Sequence, residues 1–303
     1  MTLSIWSNAR LAGPREAIAA ALAPHRLVWA DDGGSGLAGA DVAFGQPDVD
    51  AVRAAPRLRL VQLSSAGWDR FDVADVRDAF ARRRLPLTTS SGVYREPCAQ
   101  HALALLLAHA RRLPESFAHQ MGDRAWTQTE TRARCRLLGP DQTVVLLGFG
   151  SIGARLAELL APFGPRIVGV RRRAHAGSPV AVVGLDALAA QLAEADYVVS
   201  LLPGGDATRA TLDAAAFARM KPGAVLVNIG RGSTVDQDAL RAALGSGRLA
   251  AAYLDVTDPE PLPPDHPLWS APGCVITPHA AGGHHDEAAR LRTHAAANVA
   301  RLL

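Results

Sequence analysis

The stretch Thr143–Leu160, TVVLLGFGSIGARLAELL, joins an apolar strand-like segment to an amphipathic helix-like segment through a glycine-rich turn. In a GxGxxG turn the first glycine adopts a positive φ, the second lets a pyrophosphate approach the backbone, and the third lets helix and strand pack closely. The helix N-terminus then faces the anion. The spacing alone is a weak signal, but its strand-to-helix context predicts a dinucleotide-binding unit. Its cofactor contacts are expected at Gly148, Gly150, Ser151, Ile152 and Gly153.

The same alternation of strand-like and helix-like segments continues along the chain in both directions. After residue 143 it predicts six strands, namely TVVLLG, RIVGV, DYVVSLL, AVLVNIG, LAAAYLD and CVITPH. Before residue 95 it predicts further strands, among them LSIW, RLVWA, ADVAFG, LRLVQLSS and LPLTTS. Strands spaced by one helix length form parallel sheets. The predicted fold is therefore α/β, with a doubly wound Rossmann NAD(P)-binding domain and a smaller, flavodoxin-like, doubly wound substrate domain.

A long helix is predicted where the two alternating regions meet. The segment REPCAQHALALLLAHARRLPES carries Pro97 in its first turn and arginines near its end, where the helix dipole favours cations. The expected division is residues 1–95 plus 284–303 for the substrate domain and residues 96–283 for the dinucleotide-binding domain. The last helix would then return to the first domain. Residues 116–140 show no clear period, so an arm or long loop and a dimer contact both remain open.

Composition excludes several classes of protein. The 303 residues are 49% hydrophobic and 20% charged, which is typical of a soluble globular chain with core enough for two domains. The net charge of +3 comes from scattered arginines, which disfavours nucleic acid as a partner. The three cysteines form no CxxC pair, and the apolar runs are too short for a bilayer. A cytoplasmic protein without a membrane partner is expected.

Three arginines at the end of the second strand of the dinucleotide-binding region point to the choice of cofactor. An NAD site usually places an acid about 20 residues after the glycines, against the ribose 2′-hydroxyl. Here Arg171, Arg172 and Arg173 stand instead, and guanidinium groups suit a 2′-phosphate. The sequence predicts that NADP(H) is preferred and NAD(H) is possible. The alternative is a solvated basic loop, as inferred for Arg82–Arg84 at the end of another helix.

Three further residues each follow a predicted strand and together suggest redox chemistry on a hydroxyl-bearing carbon. They are Arg231 in VNIGRGSTVD, Glu260 in LDVTDPEPLP and His279 in VITPHAAGG. An imidazole titrates in the range needed to exchange the oxygen's proton, and a carboxylate beside it fixes its tautomer. An arginine can hold a substrate carboxylate. Singly these residues are more often a surface ion pair, a polar turn residue and a turn histidine, but jointly they predict a catalytic site.

The segments GFGSIG, MKPGAVLVNIGRGSTVDQDAL, LDVTDPEPLPPDHPLW and VITPHAAGG resemble the D-isomer-specific 2-hydroxyacid dehydrogenase family along nearly the whole chain. The resemblance implies that Arg231 orients the substrate, that Glu260 is the partner carboxylate and that His279 is the acid/base. It also implies that Asp255 holds the nicotinamide amide. LVQLSSAGWDRFD is similar to the family loop that receives the substrate carboxylate, here through the amides of Ala66 and Gly67. Further cofactor contacts are expected at Pro203, Ile229 and Gly230, and a homodimer is expected from the resemblance alone.

The sequence departs from the family pattern at two places. Gln100 stands where the family commonly carries an acid before its helix histidine. The segment GGHHDE brings His284 and His285 after the glycines, and their role stays open. No metal site is expected, because adjacent residues at a helix start point in different directions.

The predicted function is reduction of a small 2-keto acid such as glyoxylate or hydroxypyruvate, with NADP(H). A formate enzyme is disfavoured because its family members carry glutamine where Glu260 stands. Phosphite or another dehydrogenase of the same family remains an alternative. A nucleotide-sensing, corepressor-like binding protein is an alternative from another class.

Overall fold

The computed structural model describes residues 2–12, 14–174 and 177–303. The chain forms two compact units: unit 1 comprises Met1–Tyr94 and Gly283–Leu303, and unit 2 comprises Arg95–Gly282. The boundaries predicted from the sequence lie one residue from these at each junction. That unit 1 holds the substrate and unit 2 the dinucleotide stays a prediction.

The strands of unit 1 are β1 (Ser4–Ser7), β2 (Arg26–Trp29), β3 (Val42–Gly45), β4 (Leu60–Leu63) and β5 (Leu87–Thr88). Those of unit 2 are β6 (Thr143–Leu147), β7 (Arg166–Arg171), β8 (Ala181–Gly184), β9 (Tyr197–Ser200), β10 (Ala224–Asn228), β11 (Leu249–Leu254) and β12 (Cys274–Ile276). The helices are α1 (Arg15–Ala21), α2 (Val49–Ala54), α3 (Ala74–Arg83), α4 (Ser91–Ala110), α5 (Leu113–Met121), α6 (Gln128–Arg134), α7 (Ser151–Leu160), α8 (Leu188–Glu194), α9 (Ala214–Arg219), α10 (Gln237–Gly245) and α11 (Glu287–Ala300). Within the described ranges, none of the helices combines the length and apolar character needed to cross a membrane.

Unit 1 is built on a five-stranded parallel sheet in the order β2-β1-β3-β4-β5. Its central strands β1, β3 and β4 are buried along their whole length, as expected for a sheet covered on both faces. Helix α11 packs on this sheet, because Ala295 and Val299 belong to the same apolar cluster as Ile5 and Phe44. The last helix of the chain therefore completes the core of unit 1.

Unit 2 is built on a seven-stranded parallel sheet in the order β12-β11-β10-β9-β6-β7-β8. The two doubly wound parallel sheets confirm the predicted fold class. The sequence predicted only six strands in this region, and it missed β8. That strand has four residues, lies at the sheet edge beside β7 and is only partly buried, so it lacks the continuous apolar run of a central strand.

The structure corrects the helices predicted in the sequence between β5 and β6. Helix α4 begins at Ser91, so Pro97 lies inside the helix and not in its first turn. The helix ends at Ala110, and Arg112, with φ +56°, separates it from α5. The long-loop interpretation of residues 116–140 is wrong, because most of α5 and all of α6 lie there. Neither helix has a buried residue. Leu113, Phe117 and Met121 recur every four positions in α5, but all three are exposed, and α6 has no apolar stripe.

A histidine buried in unit 2 makes folding stability depend on pH. His109 is 7% exposed, and its Nδ1 lies 3.1 Å from the Tyr253 hydroxyl. Burial, followed by the nearby charges of Arg112 and Arg134, lowers its pKa to about 4. The imidazole is thus neutral when folded, whereas the unfolded chain binds a proton below about pH 6.5. The contribution of neutral His109 to the free energy of unfolding is therefore fully present above that pH and is lost as the pH falls towards 4.

We expect this loss to reach on the order of 3 kcal/mol between pH 7 and pH 4, from a pKa of about 4 in the fold and the ordinary pKa when unfolded. Urea unfolding of the wild type and of His109→Asn at several pH values would measure it. The variant keeps a polar group at the ring Nδ1 position but cannot titrate, so its free energy of unfolding should change less with pH. Equal pH dependence in both proteins would contradict the assignment.

Candidate active site

The three glycines of the turn after β6 have different surroundings. Gly148 has φ +104°, and a Cβ placed on it would lie 2.8 Å from the Leu201 carbonyl carbon. A Cβ on Gly153 would lie 3.2 Å from the Gly148 oxygen. Both positions thus need glycine for packing within the chain. Gly150 is exposed and a Cβ there would meet nothing within 4 Å, so the space beside it is open to a ligand.

The start of α7 fits a pyrophosphate group. This helix has ten residues and begins directly after Gly150, which has no side chain to cap the first amides. Ser151 is exposed and Ile152 is half-buried at this end of the helix. An uncapped helix N-terminus with a glycine backbone before it is a common anion site. The residues present therefore fit a dinucleotide.

The other predicted cofactor residues follow neighbouring strands. Pro203 comes after β9 and is exposed, while Ile229 and Gly230 come directly after β10 and are buried. Strands β6, β9 and β10 are adjacent and parallel, so all these residues lie where the carboxyl ends of the strands meet, at one end of the sheet. A Cβ on Gly230 would lie 2.6 Å from the Leu202 oxygen, which keeps the two loops close together. In doubly wound sheets this carboxyl edge borders the ligand crevice.

The three arginines lie at the same carboxyl end of the sheet. Arg171 is the last residue of β7, the strand next to β6, and Arg172 and Arg173 follow it directly. All three are exposed. Their positive charge thus stands beside the strand that leads into the glycine turn.

The structure brings two of the predicted catalytic residues into direct contact. His279 follows β12, and Glu260 lies in the loop after β11, the neighbouring strand. The His279 Nδ1 is hydrogen-bonded to the Glu260 Oε1. Since Nδ1 is engaged by the carboxylate, Nε2 is the ring nitrogen left to exchange a proton with another group.

The His279–Glu260 pair adds little to the folding stability of the protein. The side chains of His279 and Glu260 are 50% and 40% exposed, and an exposed ion pair contributes about 0–1 kcal/mol. His279 has φ +50°, and holding a residue other than glycine in the left-handed region costs about 1–3 kcal/mol. The cost is at least as large as the gain. Strain of this kind at an exposed pair is typical of functional sites.

A buried carboxylate holds the strained turn. Asp255 is 2% exposed, and its two carboxylate oxygens accept hydrogen bonds from the amides of Ala280 and Ala281, each at 2.9 Å. Thr277 Oγ1 donates to Asp255 Oδ1 at 2.6 Å, and the His279 amide donates to the Asp255 carbonyl at 2.8 Å. Asp255 therefore fixes the backbone on both sides of His279. Its predicted contact with the nicotinamide amide stays a prediction.

Arg231 lies in a tightly held loop after β10. Asn228 is fully buried and accepts a hydrogen bond from the Gly230 amide while donating to the Arg231 carbonyl. The Arg231 Nη1 donates to the Gly230 carbonyl at 2.7 Å. A Cβ on Gly232 would lie 2.0 Å from the Thr257 carbonyl carbon, so this loop packs directly against the segment that leads to Glu260.

In unit 1 the predicted carboxylate-binding loop follows β4. Ala66 and Gly67 are both half-buried there. The Ser65 hydroxyl donates to the Gly67 carbonyl at 2.7 Å, and the Ser65 carbonyl accepts from the Ser90 amide at 2.9 Å. These bonds define the loop conformation. That its amides receive a substrate carboxylate stays a prediction.

Two residues of α4 that face this site were given no role from the sequence: Cys98, and His101, the helix histidine that follows Gln100. Burial raises the pKa of the Cys98 thiol to about 12, with Asp255 raising it further and Arg231 opposing it. The thiol therefore lies within electrostatic reach of both charged residues and stays protonated. His101, one helical turn further on, has its Nε2 3.3 Å from Thr277 Oγ1. The signal available was their spacing of three, which places both side chains on one face of the helix.

The structure also shows how the departure at Gln100 is accommodated. Gln100 Nε2 donates to Glu96 Oε1 at 2.7 Å, one turn earlier in α4. Glu96 in turn accepts two hydrogen bonds from Arg155 of α7, at 2.6 and 3.2 Å. Arg155 lowers the pKa of the Glu96 carboxyl, with a smaller contribution from Gln100. The negative charge of this helix face is thus supplied by Glu96 and held by the helix that follows the glycine turn.

The glycine turn and the histidine–carboxylate pair together define a dinucleotide-dependent oxidoreductase. Residues 103–281 match the family described as D-isomer-specific 2-hydroxyacid dehydrogenase, NAD-binding domain. A glyoxylate reductase of Aeropyrum pernix is 35% identical over 257 residues, which cover 83% of this chain and 75% of that protein. The chain therefore belongs to the D-isomer-specific 2-hydroxyacid dehydrogenase family, as the sequence predicted, and is an NAD(P)-dependent enzyme.

Solved structures agree along the whole chain. A D-isomer-specific 2-hydroxyacid dehydrogenase of Xanthobacter autotrophicus, in complex with NADPH and MES, has a TM-score of 0.85 at 28% identity and covers 100% of this chain and 95% of its own. An NADPH-dependent glyoxylate/hydroxypyruvate reductase of Sinorhizobium meliloti, in complex with NADP and sulfate, has a TM-score of 0.82 at 25% identity. It covers 99% of this chain and 95% of its own.

Proposed function

We propose that the protein reduces small 2-keto acids of the glyoxylate and hydroxypyruvate type and prefers NADP(H). The observation that carries the proposal is the exposed His279–Glu260 pair, held on a strained turn at the carboxyl edge of a dinucleotide-binding sheet. The Aeropyrum glyoxylate reductase and the Sinorhizobium glyoxylate/hydroxypyruvate reductase support the substrate class. The NADPH and NADP in the related structures support the cofactor.

The chemistry divides among the residues described above. When bound, the nicotinamide supplies or accepts the hydride. Protonated His279 would donate a proton from Nε2 to the keto oxygen, and Glu260 would stabilise that imidazolium before the transfer through its bond to Nδ1. Arg231 would bind the substrate carboxylate and polarise the adjacent carbonyl. The amides of Ala66 and Gly67 would complete carboxylate binding.

A panel of short substrates assayed with NADPH and NADH tests the proposal. We expect turnover of glyoxylate and hydroxypyruvate, with a higher kcat/KM for NADPH than for NADH. Phosphite oxidation without 2-keto acid reduction would favour the alternative dehydrogenase. Tight NADPH binding without oxidation by any short 2-keto acid would favour a nucleotide-sensing protein.

The basis of cofactor preference is tested by removing the arginines after β7. We expect the triple variant Arg171→Ala, Arg172→Ala and Arg173→Ala to lower kcat/KM for NADPH by about ten- to a hundredfold, because charge-assisted hydrogen bonds to a 2′-phosphate are lost. The kcat/KM for NADH should change little. Arg82→Ala, an exposed arginine in the other basic run, is the matched control. Equal losses with both cofactors would contradict a role in preference.

Cytoplasmic location and a homodimer remain predictions, the first from composition and the second from the family resemblance. Mass measurement in solution tests the second. A monomeric mass at working concentrations would contradict it.

A further inference from the structure

A histidine on α4 forms the outer end of a hydrogen-bonded chain that reaches the strained turn. The chain runs from His101 Nε2 to Thr277 Oγ1 at 3.3 Å and from Thr277 Oγ1 to Asp255 Oδ1 at 2.6 Å. His101 Nε2 also lies 3.7 Å from the same Asp255 oxygen. The His101 side chain is 23% exposed and the Asp255 side chain 1% exposed. The contacts are therefore largely shielded from water.

The direction of each hydrogen bond follows from the groups involved. A carboxylate only accepts, so Thr277 must use its single hydroxyl proton on Asp255. The Thr277 oxygen can then only accept from His101. His101 must therefore carry a proton on Nε2. This assignment follows from hydrogen-bond satisfaction and makes His101 the donor that orients the threonine hydroxyl.

The same carboxylate controls the conformation of His279. Asp255 accepts from the amides of Ala280 and Ala281, immediately after the residue with φ +50°. Thr277, two residues before it, is fixed by its bonds to Asp255 and to His101. The strained residue is thus clamped from both sides. Such strain persists only where the surroundings hold it.

We propose that His101 is a positioning residue for the reaction. Acting through Thr277 and Asp255, it holds His279 in the left-handed conformation that directs Nδ1 to Glu260. His101 is not required for binding the dinucleotide phosphates, because the residues that fit them follow β6, β7 and β9. The inference rests on the proposed function for its kinetic consequences, and its structural consequence is independent of substrate.

Four variants test the proposal. His101→Leu and Thr277→Val each remove a hydrogen bond from the series His101–Thr277–Asp255. His101→Gln keeps an N–H near the position of Nε2. We expect the first two to lower kcat by about ten- to a hundredfold, as for other residues that orient a reactive side chain, while KM for NADPH stays within about twofold. His101→Gln should recover most of the lost kcat. In the double variant His101→Leu, Thr277→Val the losses should not multiply, because both remove the same connection.

A matched control separates positioning from general damage. His294 is another half-buried helix histidine, and its Nε2 lies 3.1 Å from the Thr89 carbonyl in unit 1. His294→Leu should keep kcat within about twofold of the wild type. A loss of kcat in His294→Leu as large as that in His101→Leu, unchanged kcat in His101→Leu and Thr277→Val, or multiplying losses in the double variant would each overturn the proposal.

A crystal structure of the His101→Leu variant supplies a readout that needs no substrate. We expect His279 to leave the left-handed region or to lose its contact with Glu260. If both features persist, the positioning role is wrong. If the wild type reduces no 2-keto acid, the proposed function fails, but this structural outcome still decides the role of His101. Should His101→Leu not fold, a crystal structure of Thr277→Val provides the same comparison.

Discussion

Replacing His279 with alanine is expected to lower kcat by on the order of a hundredfold or more, because the reaction loses its proton donor. Cofactor affinity should remain nearly unchanged, since the ring is held by Glu260 and lies apart from the glycine turn that fits the pyrophosphate. The alanine in this variant would stand at a position with φ +50°, which strains its backbone. The melting temperature of the variant is therefore measured as well. Steady-state kinetics and NADPH titration check both expectations.

The chain offers a matched control for this variant. His119 also forms an exposed pair with a carboxylate, because its Nδ1 lies 2.9 Å from Asp123 Oδ1. The two side chains are 37% and 64% exposed, and His119 lies in α5 with an ordinary backbone. We expect His119→Ala to leave kcat unchanged. Normal kcat in His279→Ala would refute its role as the acid/base.

The second large effect is expected from Gly232→Ala. Gly232 is buried and directly follows Arg231, in the turn Gly232–Thr234. A Cβ there would lie 2.0 Å from both the carbonyl carbon and the oxygen of Thr257 and 2.6 Å from its Cα. These are backbone atoms, which cannot swing aside as a flexible side chain can. The methyl group must therefore displace the Arg231 loop, the segment leading to Glu260, or both.

We expect Gly232→Ala to lower kcat/KM by about a hundredfold or more, because small misplacements of reacting groups have effects of that size. Overpacking should also cost about 1–3 kcal/mol of folding free energy and lower Tm by several degrees. Gly245→Ala is the matched control, since this exposed glycine ends α10 and a Cβ on it would meet nothing within 4 Å. Wild-type kcat/KM together with an unchanged Tm in Gly232→Ala would show that the loop tolerates the added atom.

Local patterns in the sequence were enough for most of the architecture. Alternating apolar and amphipathic segments have the lengths of strands and helices, so the two parallel sheets could be predicted. The prediction failed for elements that bury few residues or none. Strand β8 is short and lies at an edge, and α5 and α6 bury no side chain. The start of α4 was misplaced because proline usually marks a first turn, whereas Pro97 lies within the helix.

The site divides in the same way. The family resemblance implied that Glu260 is the partner of His279, and the structure places the two side chains in contact. The spacing assigned a separate task to each glycine of the turn. The positive φ of Gly148 and the close packing of Gly153 are as predicted, and Gly150 faces open space. The hydrogen bonds of Asp255 to the turn after β12 were not foreseen, because they join residues 22 to 26 positions apart.

By itself, the sequence determined the α/β fold, the glycine turn, the arginines after β7 and the residue types available for proton exchange. These features depend on composition and spacing over one or two elements, which local periodicity records. Only the tertiary structure decided that His279 is strained, that Asp255 holds its turn, and that His101, 176 positions before Thr277, lies within hydrogen-bonding distance of it. Contacts of that separation depend on how β11, β12 and α4 pack, and no single segment contains that information.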